Sequence, residues 1–183
     1  MADLHERVAL IPVLARSSAS GIGRTALMKH MYFLQTLRNV PLGYRFTLYS
    51  YGPFDSDVLA DLSSAEGLNA VESKLFLYAG GYGYEIKPAA GAKWLETRAS
   101  DFLQKHKPDV DWVTEKFGSL GSAQLELVST IIYVDREASR QKEKLGLNSL
   151  ANRVREVKPH FSDQQILSFA EDLKRGNLLQ TAG

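Results

Sequence analysis

Three carboxylates, Asp55, Asp57 and Asp61, fall at the start of one short stretch, close enough for two of them to share a divalent cation. The same residues also suit a helix start: Asp55 as an N-cap, and acidic neighbours near the positive end of the helix dipole. No second acidic motif accompanies them, so capping is the reading adopted and no metal is expected. The four histidines, His5, His30, His106 and His160, lie far apart and read as no metal-ligating set. His30 falls inside the apolar arc of its helix and reads as a core residue. The chain has no cysteine, which excludes disulfides, thiol catalysis and Cys-ligated zinc or iron–sulfur centres. No serine sits in a nucleophile elbow.

Residues 7–27 read RVALIPVLARSSASGIGRTAL, and Gly21 and Gly23 could end a phosphate-cradling loop before a helix. The earlier glycine of that fingerprint is missing, and Ala15-Arg16 occupies the required turn. No Tyr-x-x-x-Lys pair follows and strands do not alternate with helices. The stretch therefore reads as an inter-helix loop, and no cofactor is expected.

Two other clusters could bind macromolecules. Arg136, Arg140, Lys142, Lys144, Arg153, Arg155 and Lys158 face only Glu137, Glu143 and Glu156 in the same segment, a local excess of four positive charges. Such a run can hold a phosphate backbone or form a solvated face. Tyr82, Tyr84 and Lys87 surround a Gly80-Gly81 turn, where exposed aromatics beside a base suit a groove or a protein surface.

The elements that must carry these residues follow from periodicity. Residues 3–16 have helical spacing despite Pro12, with Asp3 as a cap; 17–23 form a loop; 24–38 form a helix apolar over most of its circumference, with Thr25, Lys29 and Thr36 as the polar strip. YRFTLYS (44–50) alternates as a strand, and Asp55 caps a helix over 56–65. Residues 73–88 read as a β-hairpin. Residues 91–117 read as helix in two pieces breaking near Pro108, and 120–135 as another helix. Residues 136–146 read as a linker or exposed helix end, 147–157 as a short helix, and Ser162 as the cap of a last one. Residues 55–68 and 163–179 end alike, in a Gly or Gly-Asn signal and a leucine. That is how the third helix of a winged-helix unit reads. The expected fold is α+β and mostly helical: a winged-helix-like unit with a hairpin wing over 1–90, and a helical half over 91–183 ending in a second, incomplete unit.

A helix that reads DNA needs a neutral or basic outer face. The outward residues expected here are Asp57, Asp61 and Ser64 on the first helix, and Gln164, Ser168, Glu171, Asp172 and Arg175 on the second. That pattern favours a protein partner, with Tyr82, Tyr84, Lys87, Asp57 and Asp61 as its contacts. A DNA-binding regulator using the wing and the basic segment is the alternative, and a homodimer stays open. The 183 residues carry a net charge of +1 with 44% hydrophobic and 23% charged residues. That composition gives no overall pull on nucleic acid or membrane. The acidic N-terminus is no secretory signal, so a cytoplasmic location is expected.

Leu27-x-Lys29-x-x-Tyr32-Phe33-x-Gln35, followed by Tyr51-Gly52-Pro53-Phe54 and the ending VKPHFSDQQILSFAEDLKRGNLL, resembles the YwgA-like bacterial proteins. More distantly the chain resembles the Panacea domain of SocA-type antitoxins, although Met28 stands where that domain often has glutamine. The resemblance implies a regulatory protein that binds and neutralises a toxin protein, and it supplies no catalytic residue. Within the motif, Leu27, Tyr32 and Phe33 read as core and Lys29 as the outward position.

Overall fold

Helix starts follow the caps. Asp3 accepts from the Glu6 amide at 2.9 Å while Glu6 accepts from the Asp3 amide at 2.8 Å, a reciprocal box that opens α1 (Leu4–Arg16). Asp55 accepts from the Asp57 amide and opens α3 (Ser56–Gly67). Ser162 and Gln165 form a second box that opens α8 (Asp163–Arg175). The computed structural model describes residues 1–78 and 81–181. Within them the protein is α+β and mostly helical, with eight helices and two two-stranded sheets. None of these helices is long and apolar enough to cross a membrane.

The chain divides into two units, Met1–Thr47 with Phe54–Gly121, and Leu48–Pro53 with the chain from Ser122 onward. This differs from a boundary at residue 90. The reason is apolar: α4 (Ala92–Arg98) and α5 (Ser100–Phe117) pack on α1 and on α2 (Arg24–Leu37) through Leu95, Phe102, Val110, Val113 and Phe117. In this first unit α2 is central. Its Leu27, Met31, Phe33 and Leu34 are wholly buried, and the Phe33 ring lies 4.2 Å from that of Phe117. Lys29, expected to face outward, is 2% exposed, because α1, α3, α5 and the hairpin all pack around α2.

The hairpin pairs β3 (Val71–Tyr78) with β4 (Gly81–Pro88) antiparallel, from Val71 opposite Pro88 to Tyr78 opposite Gly81. The Ile22 and Ile86 backbones exchange hydrogen bonds of 3.1 and 2.8 Å, which fastens the 17–23 loop to the hairpin. Gly21 there has φ +80°, and a Cβ on it would fall 2.4 Å from the Ile86 carbonyl oxygen, so only glycine fits. A helix, not a strand, precedes this loop, which removes the dinucleotide-binding arrangement.

Three local expectations are corrected. The helical break in 91–117 lies at Ala99, and Pro108 sits inside α5, which burial of His106 and Val110 on either side holds together. Strand β1 is only Thr47–Tyr49, paired with β2 (Gly52–Phe54). Tyr44 cannot join it because the Gln35 amide takes both its backbone groups, each at 2.9 Å. Of the two readings of 136–146, linker or exposed helix end, the linker is set aside up to Arg140, because α6 (Ser122–Arg140) runs on into that segment.

His30 is 2% exposed and makes no well-aligned hydrogen bond from either ring nitrogen. Burial pushes its pKa down to about 4, against a weak opposing contact with the Phe117 backbone. The folded value lies below the unfolded one, so the unfolded chain binds the extra proton between them and stability falls as pH falls through that window. Between about pH 7.5 and about pH 5 this group should remove about 2 kcal/mol. Thermal melts of His30→Leu beside the parent at both pH values should show that share of the acid sensitivity gone. Equal sensitivity in both proteins would refute it.

Candidate interaction surface

The hairpin's two faces differ because opposite residues share a face. Val71, Ser73, Leu75 and Leu77 lie with Pro88, Ile86, Tyr84 and Tyr82; Glu72, Lys74 and Phe76 lie with Lys87, Glu85 and Gly83. On the first face Val71 and Ile86 are buried in the body, whereas Leu75 and Tyr82 are exposed and Leu77 is 81% exposed. The result is an apolar stripe that starts in the core and runs out into solvent. Tyr82 and Tyr84 stack edge to face with centroids 6.3 Å apart. The base beside them is Arg24, whose guanidinium carbon lies 3.5 Å from the Tyr84 ring centre. Lys87 faces the other way, in an ion pair with Glu85 at 2.9 Å. Gly80 lies outside the described residues. Sequence reading found the two tyrosines and missed Leu75, Phe76 and Leu77. The signal was there: a two-stranded hairpin cannot bury both faces, so the unbroken run Leu75 to Leu77 must leave apolar side chains in water.

The acidic helix faces separate. Asp57 is exposed, as are Gln164, Ser168, Glu171, Asp172 and Arg175, with Asp172 and Arg175 paired. Asp61 is 2% exposed and is a correction: its carboxylate accepts from Arg7 Nε at 2.8 Å and from the Tyr44 hydroxyl at 2.7 Å. It joins α1, α3 and the Tyr44 segment and offers nothing to a partner.

Within the basic segment the corrections are Lys158 and Arg136, which are drawn into the fold. Lys158 is buried, donating to the Tyr49 carbonyl at 3.1 Å and to the Ser50 carbonyl, with Glu126 Oε1 at 2.9 Å. Arg136 pairs with buried Asp135 and donates to the Leu178 carbonyl at 3.0 Å. Asp135 in turn accepts from the Gln180 and Thr181 amides, which ties the end of the chain to α6. Arg140 pairs with Glu137, Arg153 with Glu143 and Arg155 with Asp163. Lys142 and Lys144 are exposed. Seven cations in sequence thus become no continuous cationic stripe, because four of the seven neutralise carboxylates locally or across a turn and Lys158 is spent inside the fold.

No group of three acidic or histidine side chains placed to hold a metal occurs among the described residues. His106 does meet an acid on its own helix, with Nδ1 2.9 Å from Asp109, which the sequence reading did not pair. Arg38 Nε closes on the same carboxylate at 2.9 Å, so the group fastens α2 to α5. One cleft of about 240 Å³ is lined by Val13, Leu103 and Val110 with Glu96, Lys107 and Asp111 at its edge; another, of about 500 Å³, is lined by Leu147, Glu171, Lys174 and Arg175. Neither joins a histidine to a carboxylate. No protein-family model matches the chain, and no curated protein matches it. The surface geometry is therefore what a functional reading rests on.

Proposed function

We propose that this chain is a non-catalytic regulatory protein, antitoxin-like or defence-associated, that binds a protein partner through its β3–β4 hairpin. The observation that carries this reading is the stripe Leu75, Leu77, Tyr82 and Tyr84, apolar and aromatic, held on a strand pair anchored in the core. A contiguous exposed apolar patch marks an interaction surface, and tyrosine is among the residues that anchor one. The order of three helices and then a hairpin agrees with a winged-helix-like unit whose wing is the contact element. The resemblance to YwgA-like proteins and to the Panacea domain supports the same class of partner. Binding of a DNA backbone by 136–158 is the weaker reading, since its cations are mostly paired or buried.

Affinity purification from the source cells should recover a stoichiometric protein with the parent chain. Leu77→Asp should reduce that recovery at least about tenfold, the loss expected of an interface anchor. Stability should change by no more than about 0.5 kcal/mol, because the side chain is solvent-exposed. Recovery of no partner, or equal recovery by the variant, would overturn the reading. A salt-sensitive shift of duplex DNA would transfer support to the alternative.

A further inference from the structure

Among the described residues β3 has one strand partner, β4, so its outer edge presents a row of backbone donors and acceptors without a ladder. Three features on that edge share a centre. Glu72 and Lys74 are two residues apart, exposed, and on the same face, 3.1 Å from each other. Between them, Ser73 is the small residue at the centre, on the opposite face, across from Ile86 of β4. Val71 and Leu75 flank Ser73 on the apolar face.

We infer that β3 pairs antiparallel with β3 of a second copy of this chain, about a twofold axis through Ser73. An antiparallel twofold pairing sets residue i opposite residue j with i + j constant. Centred on Ser73, it sets Glu72 opposite the second copy's Lys74, and Lys74 opposite its Glu72. Both ion pairs then lie across the seam on one face. Ser73 meets its own copy at the axis, two small side chains that let the strands close. Val71 meets Leu75 on the apolar face. The neighbouring registers are worse: a centre on Glu72 or Lys74 opposes like charges, and a centre on Leu75 sets Glu72 and Lys74 against Tyr78 and Phe76. Charge therefore selects the register, and the self-complementary order Glu72-Ser73-Lys74 makes a second copy its occupant. The joined four-stranded sheet keeps both apolar stripes on one side, since the axis is perpendicular to the sheet.

The dimer does not depend on the proposed partner, and its test is separate. Sedimentation equilibrium across the micromolar range at low salt should show a dimer for the parent chain. Glu72→Lys places a lysine opposite the second copy's Lys74, and Lys74→Glu places a glutamate opposite its Glu72, twice each by symmetry. Each single variant should weaken association about tenfold or more. The double variant, Glu72→Lys with Lys74→Glu, restores opposite charges and should return the parent affinity. Both sites are exposed, so melting temperatures should hold and a folding defect would be visible. A monomer at every concentration, single variants that dimerise like the parent, or a double variant that stays weak would each overturn the register.

Discussion

Lys158→Ala is expected to remove about 3–5 kcal/mol of stability, the cost of leaving one buried charge without its partner. The ammonium is 3% exposed, donates to the carbonyls of Tyr49 and Ser50, and is paired in charge with Glu126. The Glu126 contact is an ion pair at 2.9 Å and not a hydrogen bond. Alanine there leaves a carboxylate that is almost wholly buried, and two carbonyls, facing a void. His160 lies 3.3 Å from the same oxygen but is itself half in water, so it replaces little of the lost charge. The turn between β1 and β2 loses its fastening as well. Gly52 in that turn, with φ +86°, packs close against α6: a Cβ there would come 3.0 Å from Ser129 Oγ and 3.3 Å from the Glu126 carbonyl. Urea denaturation followed by circular dichroism measures the loss. The double variant Lys158→Met with Glu126→Leu should recover most of it, since removing both charges also removes the desolvation cost. A loss below about 1 kcal/mol for Lys158→Ala would mean that the pair behaves like a solvent-exposed one.

That lysine also shows what a sequence reading can reach. Caps and periodicity are local, and Asp3, Asp55 and Ser162 cap the helices they were expected to cap. The alternation of YRFTLYS survives in its burial even where Gln35 prevents the ladder. Charges are different. On a helical wheel a charge is assigned to water, and its exception is a partner far along the chain: Lys158 lies 108 positions from Ser50, and Asp61 54 from Arg7. Nothing in local spacing announces those meetings. Lys29 fails the same way, since the polar strip of α2 is real in sequence and closed over in the fold. The hairpin failed for the opposite reason. Its apolar run is legible in the sequence, and a lone strand pair has only one face that the body can cover.

The likeness between the two short helices is real at their ends and stops there. In α3 the amides of Leu68, Asn69 and Ala70 bond to carbonyls four, three and five residues back; in α8 those of Gly176, Asn177 and Leu178 do the same. The residue with positive φ is the asparagine in both, at 52° for Asn69 and 54° for Asn177, and neither Gly67 nor Gly176 takes that role. The shared signal therefore encodes how a helix stops. It does not encode a shared surface: Asp61 of α3 corresponds in this alignment to Phe169 of α8, and the first is a buried ionic anchor where the second is a half-buried ring. Of the two α3 carboxylates expected to meet a partner, only Asp57 is left to do so, and the hairpin gains weight as the contact element.

Asp61→Ala should accordingly cost about 3 kcal/mol, near the lower end for a broken buried pair. Arg7, left behind, keeps 22% of its side chain in solvent and can partly rehydrate, which is why the upper end is not expected. The pairing holds Arg7 more firmly charged than usual, chiefly through the hydrogen bond it donates to Asp61. Burial, reinforced by Asp61, raises the Tyr44 hydroxyl far above its ordinary value, so it stays a donor. Tyr44→Phe removes one hydrogen bond to a charged acceptor and should cost about 1.5–3 kcal/mol. These losses should not add in the double variant, because the two side chains share one hydrogen bond at this carboxylate. The same variants separate a structural Asp61 from an interacting one. Asp61→Ala that melts early yet captures partner normally below its transition places the residue inside the fold. Unchanged stability with lost capture would return it to the surface and undo the assignment.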